Sequence, residues 1–258
     1  MMDIDVLRER LGDKAARIEQ IGGQILVQGD CLEVMPLLGK VDAVVTDPPY
    51  GVGLTAKTTK HGKKSASHNY YDETEHILGI VTRAVENARE IAPCVLVTPG
   101  VRLLQRYPIA ASIGTIFSAN GAGNSSWGFT GNHPILYYGK CPYLSNKMGS
   151  RPDSFYSAHP GMHVTGENNF DHPCPKPIAW MNWLVLRASP FKSDTILDPF
   201  MGSGTTLVAC QNLDRIGIGI ELDPDYFAIA CKRVDEATRQ PRLFVEPPKK
   251  PTQEGMDL

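Results

Sequence analysis

A chain of 258 residues, 42% hydrophobic and 21% charged, is long enough to bury a large core and reads as one globular domain. Its net charge of −2 excludes a globally basic nucleic-acid binder, so any attraction to a polyanion has to come from local patches. Six cysteines without a Cys-x-x-Cys pair, no signal peptide and no apolar run of membrane length lead us to expect a soluble cytoplasmic protein of a reducing compartment.

Over residues 1–22 the apolar positions Leu7, Leu11, Ala15 and Ile18 fall at helical spacing, which predicts an N-terminal packing helix ended by Gly22-Gly23. A strand is expected over residues 24–28. A helix through Leu38 follows, with Asp30 placed as its N-cap. The run Val41-Asp42-Ala43-Val44-Val45-Thr46 is short and rich in β-branched residues, as in a buried strand of a parallel sheet.

Asp47-Pro48-Pro49-Tyr50 ends that strand, because neither proline can donate a ladder hydrogen bond. The turn is stiff, since the residue before a proline is pushed to extended geometry. It presents a carboxylate, rigid carbonyls and an aromatic ring at the carboxyl end of a strand, where open α/β sheets bind ligands. Such a group suits a planar amine. Asp47 and the Pro48 carbonyl accept its two hydrogens, and Tyr50 stacks on its ring. The plain alternative is a strand-ending turn with a solvated aspartate.

Residues 51–67 scatter Lys57, Lys60, His61, Lys63 and Lys64 among Gly, Ser and Thr. They read either as a solvated loop or as a basic flap that closes on phosphates. Tyr70-Tyr71 adds stacking surface or simple packing. A helix is predicted over residues 73–91, a strand and turn over 93–100, and further strands over 112–118 and 134–138. Residues 141–171 have no periodicity and contain Lys147, Arg151, His159 and His163. The two histidines with Cys174 lack zinc spacing and a fourth ligand, so no metal is expected. Residues 178–188 read as a helix.

Residues 195–206 read as a strand, a glycine loop and a helix start: Thr-Ile-Leu-Asp-Pro-Phe-Met-Gly-Ser-Gly-Thr-Thr. Gly202 and Gly204 let the backbone come close to a ligand, and the helix N-terminus behind them favours an anion. The third glycine of a nicotinamide site is absent, Leu207 standing in its place, and no lysine follows as in a phosphate loop. A strand over residues 215–221 ends in Glu221, which suits ribose hydroxyls. A last helix is predicted over 224–238, and the tail beyond Arg239 is rich in proline.

Together, the Asp47-Pro48-Pro49-Tyr50 turn and the glycine loop resemble the N6-adenine/N4-cytosine amino-methyltransferases of DNA, of the bacterial and phage restriction-modification type. The amino-group motif precedes the glycine loop, as in the beta arrangement of that family, and the likeness covers about residues 24–244. It implies an α/β, Rossmann-like S-adenosylmethionine-dependent methyltransferase fold, circularly permuted, with a mostly parallel twisted sheet and helices on both faces. Residues 1–240 would form a single catalytic domain with a small target-recognition insertion at about 141–171, and residues 241–258 a flexible tail.

The resemblance implies S-adenosyl-L-methionine as cofactor and double-stranded DNA as substrate. Asp47, Pro48, Pro49 and Tyr50 are then catalytic. Asp30 and the backbone at Cys31 meet the adenine of the cofactor, Glu221 its ribose, Asp198 its amino group, and the helix after Gly204 its carboxylate. Phe200, Gly202, Thr205 and Lys176 complete that set. Lys176 lies in His172-Pro173-Cys174-Pro175-Lys176-Pro177, which departs from the family's His-Pro-Thr-Gln-Lys-Pro at Cys174 and Pro175. Lys57, Lys60, Lys63, Lys64, Lys147 and Arg151 are expected to contact DNA.

Pro93-Cys94 and Pro173-Cys174 match the nucleophile dipeptide of cytosine-C5 enzymes. An amine needs no covalent intermediate, however, and Cys94 reads as core. An Asp in the first motif position goes with adenine N6, N4-cytosine being the alternative. An RNA or protein-amide methyltransferase and an inactive DNA-binding module are the rival classes. A homodimer is the family habit. Residues 240–244, Gln-Pro-Arg-Leu-Phe, resemble a sliding-clamp docking peptide, or else form a closing edge strand.

Overall fold

The computed structural model describes residues 4–50, 74–118, 124–125, 128–157 and 176–240. Helix α1 (Ile4–Leu11) leads to β1 (Ala15–Ile21), which turns back into β2 (Gln24–Gly29). Then come α2 (Cys31–Leu38), β3 (Ala43–Thr46), α3 (Thr74–Ile91), β4 (Cys94–Val97) and the one-turn α4 (Gly100–Leu103). The middle of the chain holds β5 (Ser112–Ser118), the short pair β6 (Asn124–Ser125) and β7 (Gly128–Phe129), β8 (Asn132–Gly139), α5 (Pro142–Ser145) and β9 (Phe155–Ser157). It continues through α6 (Ile178–Ala188), β10 (Thr195–Asp198), α7 (Thr205–Asn212), β11 (Ile216–Glu221) and α8 (Pro224–Arg239).

Nine of these strands form one sheet in the order β1-β2-β11-β10-β3-β4-β8-β5-β9. The central neighbours from β2 to β4 are all parallel, while β1 and β8 run antiparallel to the strands they flank. Strand β10 passes through α7 to β11 on one side, and β3 passes through α3 to β4 on the other. The order therefore reverses between β10 and β3, the place where an open α/β sheet leaves a crevice at its carboxyl edge. These two neighbours are distant in sequence: Thr46 and Asp198 at their ends are 152 residues apart. That is the permuted connectivity expected from the motif order.

Side chains alternate across the sheet. Val44, Val95, Val97 and Leu197 share one core cluster with α1, α2 and α3, while Ala43, Val45, Leu96 and Ile196 share another with α6 and α7. Strands apolar at every position belong in a sheet covered on both faces. Helix α8 adds Phe227, Ala230 and Val234 to a third cluster, against Leu26 and Met201.

One expectation is corrected here. The N-terminal helix stops at Leu11, and Ala15 and Ile18 belong to β1. Gly22, at φ +59°, and Gly23 form a two-residue turn that pairs Ile21 with Gln24. A Gly-Gly pair is a hairpin signal, and here it outweighs the helical spacing. The first part of the segment 141–171 packs onto the sheet. Strand β9 pairs with β5, Phe155 stacks on Trp183 at 5.5 Å, and the Tyr137 hydroxyl donates to the Asp153 carbonyl at 2.7 Å. Among the described residues, no helix is long and apolar enough to cross a membrane.

Candidate active site

The five central strands end in polar residues along one edge of the sheet. In sheet order these are Asp30 after β2, Glu221 on β11, Asp198 on β10, Asp47 after β3 and Thr98 after β4. The reversal of strand order divides them into two halves.

On the β3 side, the Asp47 carboxylate has three donors. Thr98 Oγ1 gives to Oδ1 at 2.5 Å, the Tyr50 hydroxyl also gives to Oδ1, and Lys176 Nζ gives to Oδ2 at 2.6 Å. Lys176 also donates to the Tyr50 oxygen at 2.7 Å and lies 4.7 Å from the ring centroid. Gly100 has φ +66°, and a Cβ there would stand 2.8 Å from the Tyr50 ring, so the turn after β4 has to be glycine for the ring to lie where it does. Burial lowers the pKa of Lys176, but the Asp47 carboxylate more than reverses this, and the net direction is upward, so the ammonium stays charged. Burial first, then the charge of Asp47, raise the Tyr50 phenol, which stays a neutral donor.

On the β10 side, Gly204 has φ +80° and stands as the N-cap of α7. Among the described residues no side chain caps that helix, so its first N–H groups have no capping acceptor. A Cβ at Gly204 would lie 3.0 Å from the Ala230 Cβ, so α8 supports the loop from behind at glycine distance. Arg233 of α8 reinforces it, donating to the Ser203 carbonyl at 2.7 Å and to Thr205 Oγ1 at 3.1 Å. Glu221 ties the loop to β11: Oε2 accepts from Gly202 N at 2.9 Å and Oε1 from Asp223 N at 2.8 Å. Burial raises the Glu221 carboxyl against those bonds. A carboxylate has about four acceptor sites, so these bonds leave room for a ligand.

Asp198 is 2% exposed and joins the halves. Its Oδ1 accepts from Thr46 Oγ1 at 2.7 Å and from Phe200 N at 3.1 Å, and its Oδ2 from Thr206 Oγ1. Burial pushes its carboxyl up to about 6, against those three donors. In an unfolded chain an Asp titrates near ~4. Between the two values the folded chain holds a proton that the unfolded chain lacks, so this group's stability contribution is largest in acid and falls as pH rises. Denaturant titrations of wild type and Asp198→Asn should show the wild type's relative stability dropping by roughly 2–3 kcal/mol from pH ~4 to ~7. A difference that does not change with pH would mean that the carboxylate is charged throughout.

Several placements differ from expectation. Lys176, assigned with the cofactor residues, stands against Asp47 and Tyr50 on the other half of the site. Asp198, assigned to a cofactor amino group, has both oxygens engaged inside the protein. Lys147 and Arg151 lie at the opposite edge of the sheet from Asp47. Because β8 is antiparallel to β4, it delivers the chain after Gly139 to the start of β4, and there Tyr143 bonds the Leu186 carbonyl near the end of α6. Asp30 accepts from Leu32 N at 2.8 Å as the N-cap of α2, and Cys31 follows it, buried. Cys94 is 4% exposed, and burial pushes its thiol up to about 12, so it is an inert core residue.

Lys57, Lys60, Lys63, Lys64, Tyr70, Tyr71, His159, His163, Cys174 and the peptide after Gln240 lie outside the described residues. Sequence reasoning missed Thr98, Thr46 and Arg233. Thr98 was legible, as it sits before Pro-Gly at the carboxyl end of a strand beside β3, but nothing local to Arg233 points to a loop 30 residues earlier.

Comparison with known proteins agrees with this fold. Residues 122–232 match a family model described as DNA methylase, of the N6/N4 type. The type II methyltransferase M.HpaI of Haemophilus parainfluenzae is 28% identical over 226 residues, 76% of this chain and 68% of its own length. M2.MboI of Moraxella bovis is 43% identical over only 67 residues, 24% of its own length. The crystal structure of an M1.HpyAVI–SAM complex superposes with a TM-score of 0.55 at 22% identity, covering 81% of this chain and 98% of that one. The cytosine-N4-specific PvuII DNA methyltransferase superposes at 0.56 with 13% identity, covering 87% and 95%. At these identities the two structures speak for the fold.

Proposed function

We propose that the chain is one of the N6-adenine/N4-cytosine DNA amino-methyltransferases of restriction-modification type, and that it moves a methyl group from S-adenosyl-L-methionine to the exocyclic N6 of an adenine turned out of duplex DNA. The observation that carries this reading is the junction at the β10/β3 reversal. A carboxylate-proline turn and a glycine loop stand side by side there, joined by the Thr46–Asp198 hydrogen bond of 2.7 Å.

The residues of the β10 side fit the cofactor. The uncapped start of α7 suits its carboxylate, Glu221 its ribose diol, and Asp30 on the next strand its adenine amine. The cofactor supplies an electrophilic methyl carbon on a sulfonium. On the β3 side, Asp47 and the Pro48 carbonyl accept the two hydrogens of the target amine and aim its lone pair across the reversal. The new N–C bond forms as the C–S bond breaks, the thioether departs neutral, and the extra proton leaves the nitrogen through Asp47 or water.

A base inside a duplex cannot reach Asp47, so it has to leave the stack, at a cost of a few kcal/mol. Stacking on Tyr50 returns ~1–3 kcal/mol of that. Catalysis is then mostly positioning, with Thr98 and Lys176 holding the carboxylate. The aspartate in first position supports adenine over cytosine.

The test is transfer from labelled cofactor to unmethylated DNA, digested to nucleosides and resolved by mass. N6-methyladenine is the expected product. N4-methylcytosine would keep the mechanism and change the base, and an unmethylated digest from a cofactor-loaded protein would overturn the reading.

A further inference from the structure

A buried ammonium is costly unless its partners hold it in place, so those partners say what it is for. The Lys176 side chain is 8% exposed, and its Nζ donates to Asp47 Oδ2 at 2.6 Å and to the Tyr50 oxygen at 2.7 Å. Pro177 follows it as the N-cap of α6, which carries Trp180, Met181 and Leu184 at 2% exposure or less. A packed helix thus delivers the charge to a turn 129 residues away in sequence. In the sheet, this turn stands beyond β10 from Glu221.

The other carboxylate oxygen is held from β4. Thr98 Oγ1 donates to Oδ1 at 2.5 Å, and the Tyr50 hydroxyl donates to the same atom. Thr98 and Lys176 flank packed elements, whereas Tyr50 belongs to the turn itself. A carboxylate has about four acceptor sites, and the Tyr50 hydroxyl occupies the one whose donor is easiest to exchange.

We propose that Lys176 is a positioning residue of methyl transfer: with Thr98 it braces the Asp47 carboxylate, one oxygen each, so that the target amine takes the place now held by the Tyr50 hydroxyl. This rests on the amino-methyltransferase reading above, and it takes Lys176 out of the cofactor set. The exchange is even, since an amine N–H replaces a phenol O–H on Oδ1. The freed Tyr50 ring then meets the base, with its oxygen still within the reach of Lys176.

The test compares Lys176→Met, Lys176→Arg and the isosteric Thr98→Val by steady-state transfer to DNA and by calorimetric binding of S-adenosylmethionine without DNA. Lys176→Met should lose about 10²-fold in kcat, with cofactor affinity kept within about twofold, because misplacing a reacting group costs turnover and leaves remote binding intact. Lys176→Arg should recover to within about tenfold of wild type, since it restores the charge at an altered geometry. Thr98→Val should lose about tenfold in kcat at unchanged cofactor affinity.

Cofactor affinity weakened tenfold or more in Lys176→Met, with kcat kept, would return Lys176 to the cofactor set and overturn the proposal. An unchanged kcat in all three variants would overturn it as well. If Lys176→Met does not fold, Lys176→Arg and Thr98→Val carry the same contrast. A wild type that methylates no DNA would sink the transferase reading instead, and the calorimetric arm would still decide which half of the site Lys176 serves.

Discussion

Asp47→Ala should lower methyl transfer by about 10³-fold or more, with the cofactor dissociation constant changed by no more than a few fold. Among the described residues, the carboxylate accepts no hydrogen bond from the glycine loop. Its partners are Thr98, Tyr50 and Lys176, all on the β3 side of the reversal. On the proposed reading, removing it takes away the acceptor for the target amine. It also leaves the Lys176 ammonium buried without its counter-charge, so a thermal melt has to accompany the kinetics. Asp47→Asn is the milder variant, because it keeps an acceptor of the same shape and loses the charge. Equal loss of transfer and of cofactor binding in Asp47→Ala would contradict the division of the site into halves.

Glu221→Ala should weaken cofactor binding by about 10²- to 10³-fold, as expected when two hydrogen bonds to a charged group are lost. Its carboxylate does two jobs at once. It holds Gly202 N and Asp223 N, at 2.9 and 2.8 Å, and it presents the remaining lone pairs at the carboxyl end of β11. On the proposed reading, the support of the cofactor loop and the grip on its ribose would be lost together. Glu221→Gln keeps one carbonyl acceptor and should cost only about tenfold, since a neutral hydrogen bond is roughly half as strong. Calorimetry with S-adenosylmethionine reads both variants, and wild-type affinity in Glu221→Ala would place the ribose elsewhere.

The parts of this molecule that were legible in sequence are those whose chemistry is local. Pro48 and Pro49 end β3 because they lack a donor, and Gly204 starts α7 because the backbone there needs positive φ. Helix α6 and strand β5 appear with the expected bounds because their periodicity is unbroken. Residues 15–18 misled because an apolar spacing of three fits a helix face, and the decisive fact, pairing of Ile18 with Val27, is a tertiary one. The position of Lys147 and Arg151 was not legible for a related reason. Which edge of the sheet a loop occupies depends on the direction of β8, and composition does not encode direction. The partner of Lys176 stands 129 residues away, so a motif match placed the residue near the site without showing its contact with Asp47.

The most direct test of the account is a competition for the methyl label. Unmethylated DNA, RNA and a protein extract are offered together to the wild-type chain preloaded with labelled S-adenosylmethionine, and the three fractions are separated and counted. The label should enter the DNA alone. Label in the RNA or protein fraction, with the DNA unmarked, would contradict the claim that this crevice methylates a base of DNA.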